Sequence, residues 1–250
     1  MSRLPGGFVL SERCGGFDNN FTLLRLIAAG LVLVYHAWPL SLGPGSGAGG
    51  PLITGVQDRT LGNMAVVVFF AISGFFITRS YQRMDSPWAF VSARALRLFP
   101  GLIVSLVVTV VVAGLWLTTA PAATYWPAAA EFVLRNGTLA RLDWTLPGVF
   151  TGVPYAPHGA DGVVNGSLWT LMVEMLCYIA VLLAGLSGLL RRPALLAALL
   201  AGLVALALWA EVRAEAGGLH PYLHQRIRLL LPFALGAALW IWRDRVVLHG

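Results

Sequence analysis

The stretch LIVSLVVTVVVAGL, residues 102–115, decides the fold. Wound into a helix it is apolar on every face, so it has no side to turn to water and needs a hydrophobic solvent all round. About 20 such residues cross a bilayer core as a helix. Working outward from this run, comparable apolar segments lie at 21–40, 61–78, 101–118, 167–189, 194–212 and 226–242. The composition agrees: 58% of the 250 residues are hydrophobic and 11% are charged, against roughly 25% charged in ordinary soluble domains. With a mean hydropathy of +0.76, the chain cannot coat a water-soluble globule. The expected fold is all-α, a polytopic transmembrane helical bundle of about six spans.

Charge gives the expected orientation. All seventeen basic residues are Arg, and the formal net charge is +6. Arg79, Arg83, Arg94 and Arg97 lie between the second and third spans, Arg191 and Arg192 between the fourth and fifth, and Arg243 and Arg245 after the sixth. All three groups fall on the cytoplasmic side if the N-terminus does, as the positive-inside rule requires. The opposite connections are nearly neutral: Arg135 and Arg141 are offset by Glu131, Asp143 and Asp161. Basic residues so placed indicate membrane topology, and nucleic acid is not expected as a partner. The expected organisation is a cytoplasmic tail at 1–20, a membrane domain at 21–245 and a short end at 246–250, in a bacterial inner membrane. The first apolar run contains Arg25 and ends at Trp38 and Pro39 without a small-residue cleavage site, so it reads as a retained helix rather than a signal peptide. Cys14 and Cys177 offer no disulfide framework, and no metal is expected.

Three constellations carry chemistry. Arg25 and His36 are eleven residues apart, which in a straight helix is about 16 Å along the axis and within ~20° of the same direction. They share one face of the first span, with Arg25 toward the cytoplasmic end. Arg25 could instead snorkel to the headgroups, and His36, beside Tyr35 and Trp38, could belong to an interfacial aromatic belt. In NGSLWTLMVEMLCY, residues 165–178, Ser167, Thr170, Glu174 and Tyr178 recur at helical spacing. A carboxylate about two turns into a span is costly and usually faces a cavity or a partner. Glu174 and His36 are therefore candidates for a pair in which the acid orients or stabilises the imidazole. In ARALRLFP, residues 93–100, Arg94 and Arg97 are three apart. They read either as a positive-inside anchor or as a clamp for a phosphorylated ligand.

Four features occur in order: Arg25 to His36, FFAISGFFITRS at 69–80, Arg94 and Arg97 ahead of Pro100, and GSLWTLMVE at 166–174. Together they resemble the acyltransferase-3 family of integral membrane O-acyltransferases, which decorate polysaccharides, O-antigens and related molecules. The resemblance covers residues 17–178. It implies acetyl-CoA or another acyl-CoA as donor, reaching the protein from the cytoplasm, with Arg94, Arg97 and Arg25 holding the coenzyme's phosphates. It further implies that His36 acts near the thioester, as general base or transient acyl carrier. Glu174 would support that imidazole, while Ser73, Ser167, Thr170 and Tyr178 would line the cavity. The implied acceptor is a hydroxyl of a carbohydrate or lipid-linked glycan, and membrane lipids are the surrounding partners. Family members usually have more spans than this chain offers, so it reads as a fragment, a truncated reading frame or a short variant, and dependence on a homo-oligomer is allowed.

Two rival readings stay open. In a proton-coupled transporter or flippase, Glu174 and His36 would relay protons or pair with a substrate. In a noncatalytic interaction protein, the polar stripe would fix helix packing. Trp126, Trp144, Tyr155 and His158 could stack on a sugar but read first as interfacial aromatics. His220 and His224, four apart without a third ligand, read as surface residues. GPGSGAGG at 43–50 reads as a flexible loop.

Overall fold

The computed structural model describes residues 7–13, 20–42, 61–153, 155–156 and 160–249. The GPGSGAGG tract and His158 lie outside the described residues. The regular elements of the described chain are helices apart from a ribbon of β1 (Gly7–Val9) paired antiparallel with β2 (Val247–His249), and an isolated bridge between Thr145 and Val163. A short α1 (Leu10–Arg13) follows β1. The long helices are α2 (Phe21–Leu42), α3 (Leu61–Arg83), α4 (Pro87–Val112), α6 (Leu168–Leu186), α7 (Pro193–Glu215) and α8 (Pro221–Ile241), with α5 (Ala122–Gly137) between α4 and α6.

Among the described residues, four helical stretches are long and apolar enough to cross a membrane: Gly62–Arg83, Pro87–Leu117, Leu168–Leu186 and Pro193–Glu215. Phe21–Ala37 is a shorter apolar helix. The last apolar segment also forms a helix, α8, whose first turns carry His224, Gln225, Arg226 and Arg228. The all-α bundle expected from the sequence is what the chain forms.

Boundaries differ where proline misleads. The third span was expected to begin after Pro100, yet α4 runs unbroken from Pro87 through it. A proline removes one backbone hydrogen bond and crowds the preceding turn, but a membrane helix tolerates it when neighbouring groups satisfy the released carbonyl. Leu98, Leu102, Leu106 and Val110 make the buried stripe of α4, four residues apart, while Val104, Val107 and Val108 stay exposed. A π-turn, Ala113–Leu117, ends the helix.

The chain divides into two compact units: Met1–Val32, Asn63–Pro87 and Cys177–Gly250 form the first, and Leu33–Gly62 and Trp88–Leu176 the second. The first unit is organised by a glycine-to-backbone contact between α3 and α8. A Cβ at Gly74 would collide with the carbonyl oxygen of Phe233, and one at Gly236 with that of Ala71. Small residues allow this approach, which is how helices associate where lipid removes the hydrophobic drive between them.

The second unit contains structure that the sequence reading treated as a connecting loop. In α5, Tyr125, Ala129, Phe132 and Asn136 are buried at spacings of four, three and four. The Tyr125 hydroxyl donates to the Val110 carbonyl at 2.7 Å. Asn136, fully buried, donates to the Phe132 carbonyl at 2.9 Å and accepts from the Asp143 backbone N–H at 3.1 Å. Farther along, Asp161 Oδ1 accepts from the Gly148 N–H at 2.9 Å, and the Trp144 carbonyl accepts from Val164 N–H at 2.8 Å. Gly148 adopts φ +69°, and a side chain there would also strike the backbone at Thr119 and Ala120.

Candidate active site

An arginine–aromatic ladder is the most concentrated charge feature of the first unit. Phe76 and Arg79 lie three apart on α3 and share a helix face, while Trp240 is in the last turn of α8 and Arg243 in the turn that follows it. The Arg25 and Arg79 guanidinium carbons lie 5.2 and 5.8 Å from the Phe76 ring centre. Arg79 is also 5.6 Å from Trp240, which carries Arg243 at 4.2 Å. Arginine stacked on ring faces keeps its planar, permanently charged fork in place. Trp240 Nε1 donates to Gln82 Oε1 at 2.9 Å, and Arg243 Nη1 donates to the Trp240 carbonyl at 2.9 Å. Phe21 meets Phe76 edge-on at 5.0 Å and stacks on Phe75 at 5.9 Å. Arg25 is therefore not isolated at this end of the unit: Arg79 and Arg243 lie around the same rings. In the sequence Arg243 serves only to assign topology, while Arg79 also falls within FFAISGFFITRS, and their spacing to Phe76 and Trp240 was the available signal.

Ser73 and Tyr178 also lie in the first unit. Ser73 is half-buried beside the Gly74 contact on α3, and Tyr178 is buried on α6. The second unit holds His36, Arg94, Arg97, Ser167, Thr170 and Glu174.

His36 is exposed on α2, and its ring meets Tyr35 edge-on at 5.5 Å. The Tyr35 ring occupies the place a side chain at Gly62 would need, so the start of α3 comes close to this turn of α2. Glu174 is half-buried on α6. Arg94 and Arg97 differ in setting: Arg94 is half-buried with its guanidinium 5.8 Å from the Phe90 ring centre, and Arg97 is exposed.

Ser167 and Thr170 help start α6. Ser167 Oγ donates to Asn165 Oδ1 at 2.6 Å, the Ser167 N–H donates to the same oxygen at 3.2 Å, and Thr170 Oγ1 donates to the Ser167 carbonyl at 2.8 Å. Such short polar side chains stabilise the entrance of a helix, where backbone groups lack intrahelical partners.

A cavity of about 460 Å³ in the second unit is lined by Trp144, Glu131, Asp143 and Asp161 together with Phe132 and Pro147. Arg135 bridges two of these acids, pairing with Glu131 one turn earlier and with Asp143 at 3.2 Å. Burial pushes the Tyr125 and Tyr155 phenols up from the ordinary value.

The expectation of surface histidines at 220 and 224 is half right. His220 is exposed and stacks on Tyr222 at 5.4 Å. His224 is buried, with Nε2 3.0 Å from Glu211 Oε2, at ion-pair distance but without hydrogen-bond alignment. Arg228 Nε is 3.5 Å from the other Glu211 oxygen. The spacing suggested two equivalent histidines, but only position 224 turns inward to meet Glu211 across α7 and α8. No group of three metal-ligating side chains occurs among the described residues.

The sequence profile of an acyltransferase domain matches residues 18–249. The chain belongs to the acyltransferase-3 family. This acyltransferase-3 member is 34% identical over 240 residues to "Nodulation protein 10" of Rhizobium leguminosarum bv. viciae, covering 93% of the chain and 59% of that relative. It is 34% identical over 166 residues to the "O-acetyl transferase" of Shigella phage Sf6, covering 65% of the chain and 44% of that relative. The acyltransferase-3 chain thus spans less than two thirds of the length of either relative. No solved structure matches it significantly. Family and apolar helices together make it an integral membrane protein.

Proposed function

We propose that this protein is a membrane O-acyltransferase that moves an acetyl group from acetyl-CoA to a hydroxyl of a cell-surface carbohydrate or related acceptor. The observation that carries this reading is the gathering of Arg25, Arg79 and Arg243 around Phe76 and Trp240. Three fixed cations interleaved with rings suit a donor that carries phosphates and a flat base, since guanidinium forks match phosphate oxygens. The likeness to a phage protein named as an O-acetyl transferase supports the choice of acyl group. Arg94 and Arg97 add a second cationic segment for the same donor. In this reading the basic side of the bundle is cytoplasmic, as is the N-terminus, in a bacterial inner membrane.

His36 removes the acceptor hydroxyl proton as the acceptor oxygen attacks the thioester carbonyl. The C–S bond breaks, a C–O bond forms, and the proton passes to the departing thiolate. Glu174 supports the charged imidazole. Carriage of the acetyl group on His36 itself is the alternative role for the same side chain. Trp144 and the carboxylates beside it offer a stacking face and hydrogen-bond acceptors of the kind a polyol acceptor uses.

The test is saturable acetyl-CoA binding to purified protein in nanodiscs, paired with acetyl transfer. Arg79→Ala/Arg243→Ala should weaken donor binding at least tenfold, and Arg94→Ala/Arg97→Ala should weaken it less. His36→Ala should bind the donor normally and lose transfer. Unchanged donor affinity in both arginine pairs, or wild-type transfer by folded His36→Ala, would overturn the assignment.

A further inference from the structure

Two cavities of opposite character meet in the first unit. The polar one, of about 370 Å³, is lined by Tyr81, Gln82, Asp85, Ser86 and Arg191 together with Leu190. The apolar one, of about 270 Å³, is lined by residues of α3, α6, α7 and α8, including Ala184, Leu199 and Phe233, and again by Leu190 from the short turn between α6 and α7. Because Leu190 lines both, a charged compartment and an oily one adjoin. Gly185 keeps the polar compartment narrow, since a side chain there would run into the Tyr81 ring.

Thr78 makes the apolar cavity more than a packing defect. The residue is one of those around the cavity, it is fully buried, and its hydroxyl has no hydrogen-bond partner among the described residues. Threonine in a helix commonly bonds back to the preceding turn, and a buried hydroxyl without a partner is costly. An oxygen acceptor brought in with an apolar ligand would meet that need. At the polar end, Asp85 and Arg191 make no ion pair among the described residues. One cation and one anion lining the same compartment complement a headgroup that carries both signs.

We propose that these adjoining cavities together form a binding site for one aminophospholipid, with its phosphate toward Arg191, its ammonium toward Asp85, and an acyl chain in the apolar cavity with an ester oxygen accepting from Thr78. Gln82, which accepts from Trp240, touches both this site and the arginine–aromatic ladder, but none of Arg25, Arg79 and Arg243 lines either cavity, and the proposal does not depend on the acyl-transfer reading. The lipid would complete the packing of α3, α6, α7 and α8 as a structural ligand.

Native mass spectrometry of delipidated protein titrated with dioleoyl phosphatidylethanolamine, dioleoylglycerol or palmitoyl-CoA tests it. The expected result is one phosphatidylethanolamine retained per chain, at least tenfold more tightly than dioleoylglycerol and not displaced by palmitoyl-CoA. Ala184→Trp, which fills the apolar cavity, should abolish retention. Arg191→Ala should remove most of the preference over dioleoylglycerol, and Thr78→Val should lower retention several-fold with an unchanged unfolding temperature. Equal retention of dioleoylglycerol, displacement by palmitoyl-CoA, or wild-type retention in both Arg191→Ala and Thr78→Val would overturn the proposal. The last comparison decides the matter even if Ala184→Trp fails to fold.

Discussion

The α3–α8 contact and the segment that carries α5 are held together by opposite means. Between α3 and α8, Gly74 and Gly236 remove side chains so that each backbone meets the other's carbonyl oxygens. Around α5, side chains are added: Tyr125, Asn136, Asp161 and Arg135 reach across to backbone or to one another. The difference follows the surroundings. Apolar helices in lipid gain little from hydrophobic burial against each other, so close shape complementarity holds them. A connecting segment has many backbone groups without helical partners, and polar side chains must satisfy them.

The sharpest way to break the comparison is to give the close-packed contact a side chain. Gly236→Val places atoms against the Ala71 carbonyl, where only movement of a whole helix makes room. A loss of about 3 kcal/mol is expected from such overpacking, read by unfolding in mixed detergent–SDS micelles. Wild-type stability would mean that the approach of α3 and α8 does not depend on glycine.

Next comes the buried amide. Asn136→Ala leaves the Asp143 N–H without its acceptor and should cost about 2 kcal/mol. Proteolysis between residues 138 and 147 should accelerate in the variant while the α3–α8 contact stays protected from hydrogen exchange. Equal loosening of both would show one cooperative unit rather than two differently built regions.

Tyr125→Phe removes the bond to Val110 and should cost about 1 kcal/mol. The same residue sets an alkaline limit. Its phenol is pushed up from 10.0 by burial, so the folded state holds its proton more tightly than the unfolded state. The stabilisation is complete below pH 10.0 and is lost as pH rises from there through the folded-state value. In Tyr125→Phe that part of the alkaline loss should disappear, which a pH series of unfolding midpoints would detect.

The smallest effect belongs to Arg135→Ala. Its guanidinium, paired with Glu131 and Asp143, is 38% exposed. Solvent and salt screen such pairs, and less than about 1 kcal/mol is expected, falling further at high ionic strength.

Much of this architecture was legible in the chain. Runs such as 102–115 have no polar face, and that alone dictates helices in an apolar solvent. The helix α5 was legible in principle from Tyr125, Ala129, Phe132 and Asn136 at helical spacing, but Pro121, Pro127 and the surrounding polar residues gave the segment the look of a loop. The candidate residues were legible as types: Arg25 and His36 stand out because charge and imidazole are costly in a span. Their neighbours were not. Arg79 and Arg243 read as topology signals until α3 and α8 brought Phe76 and Trp240 between them and Arg25.

Sequence by itself determined that the chain lies in a membrane, which apolar segments form its long helices and which side chains are costly there. Those properties depend on the solvent preference of each residue and on the helix period, which are local. Only the tertiary structure decided that Gly74 and Gly236 face each other's backbones, that His224 turns inward to Glu211 while His220 stays out, and that Leu190 lines both an oily cavity and a charged one. Each depends on which turns of distant helices meet. The apolar pattern leaves that free, because every lipid-facing surface looks alike until backbone shape selects the partner.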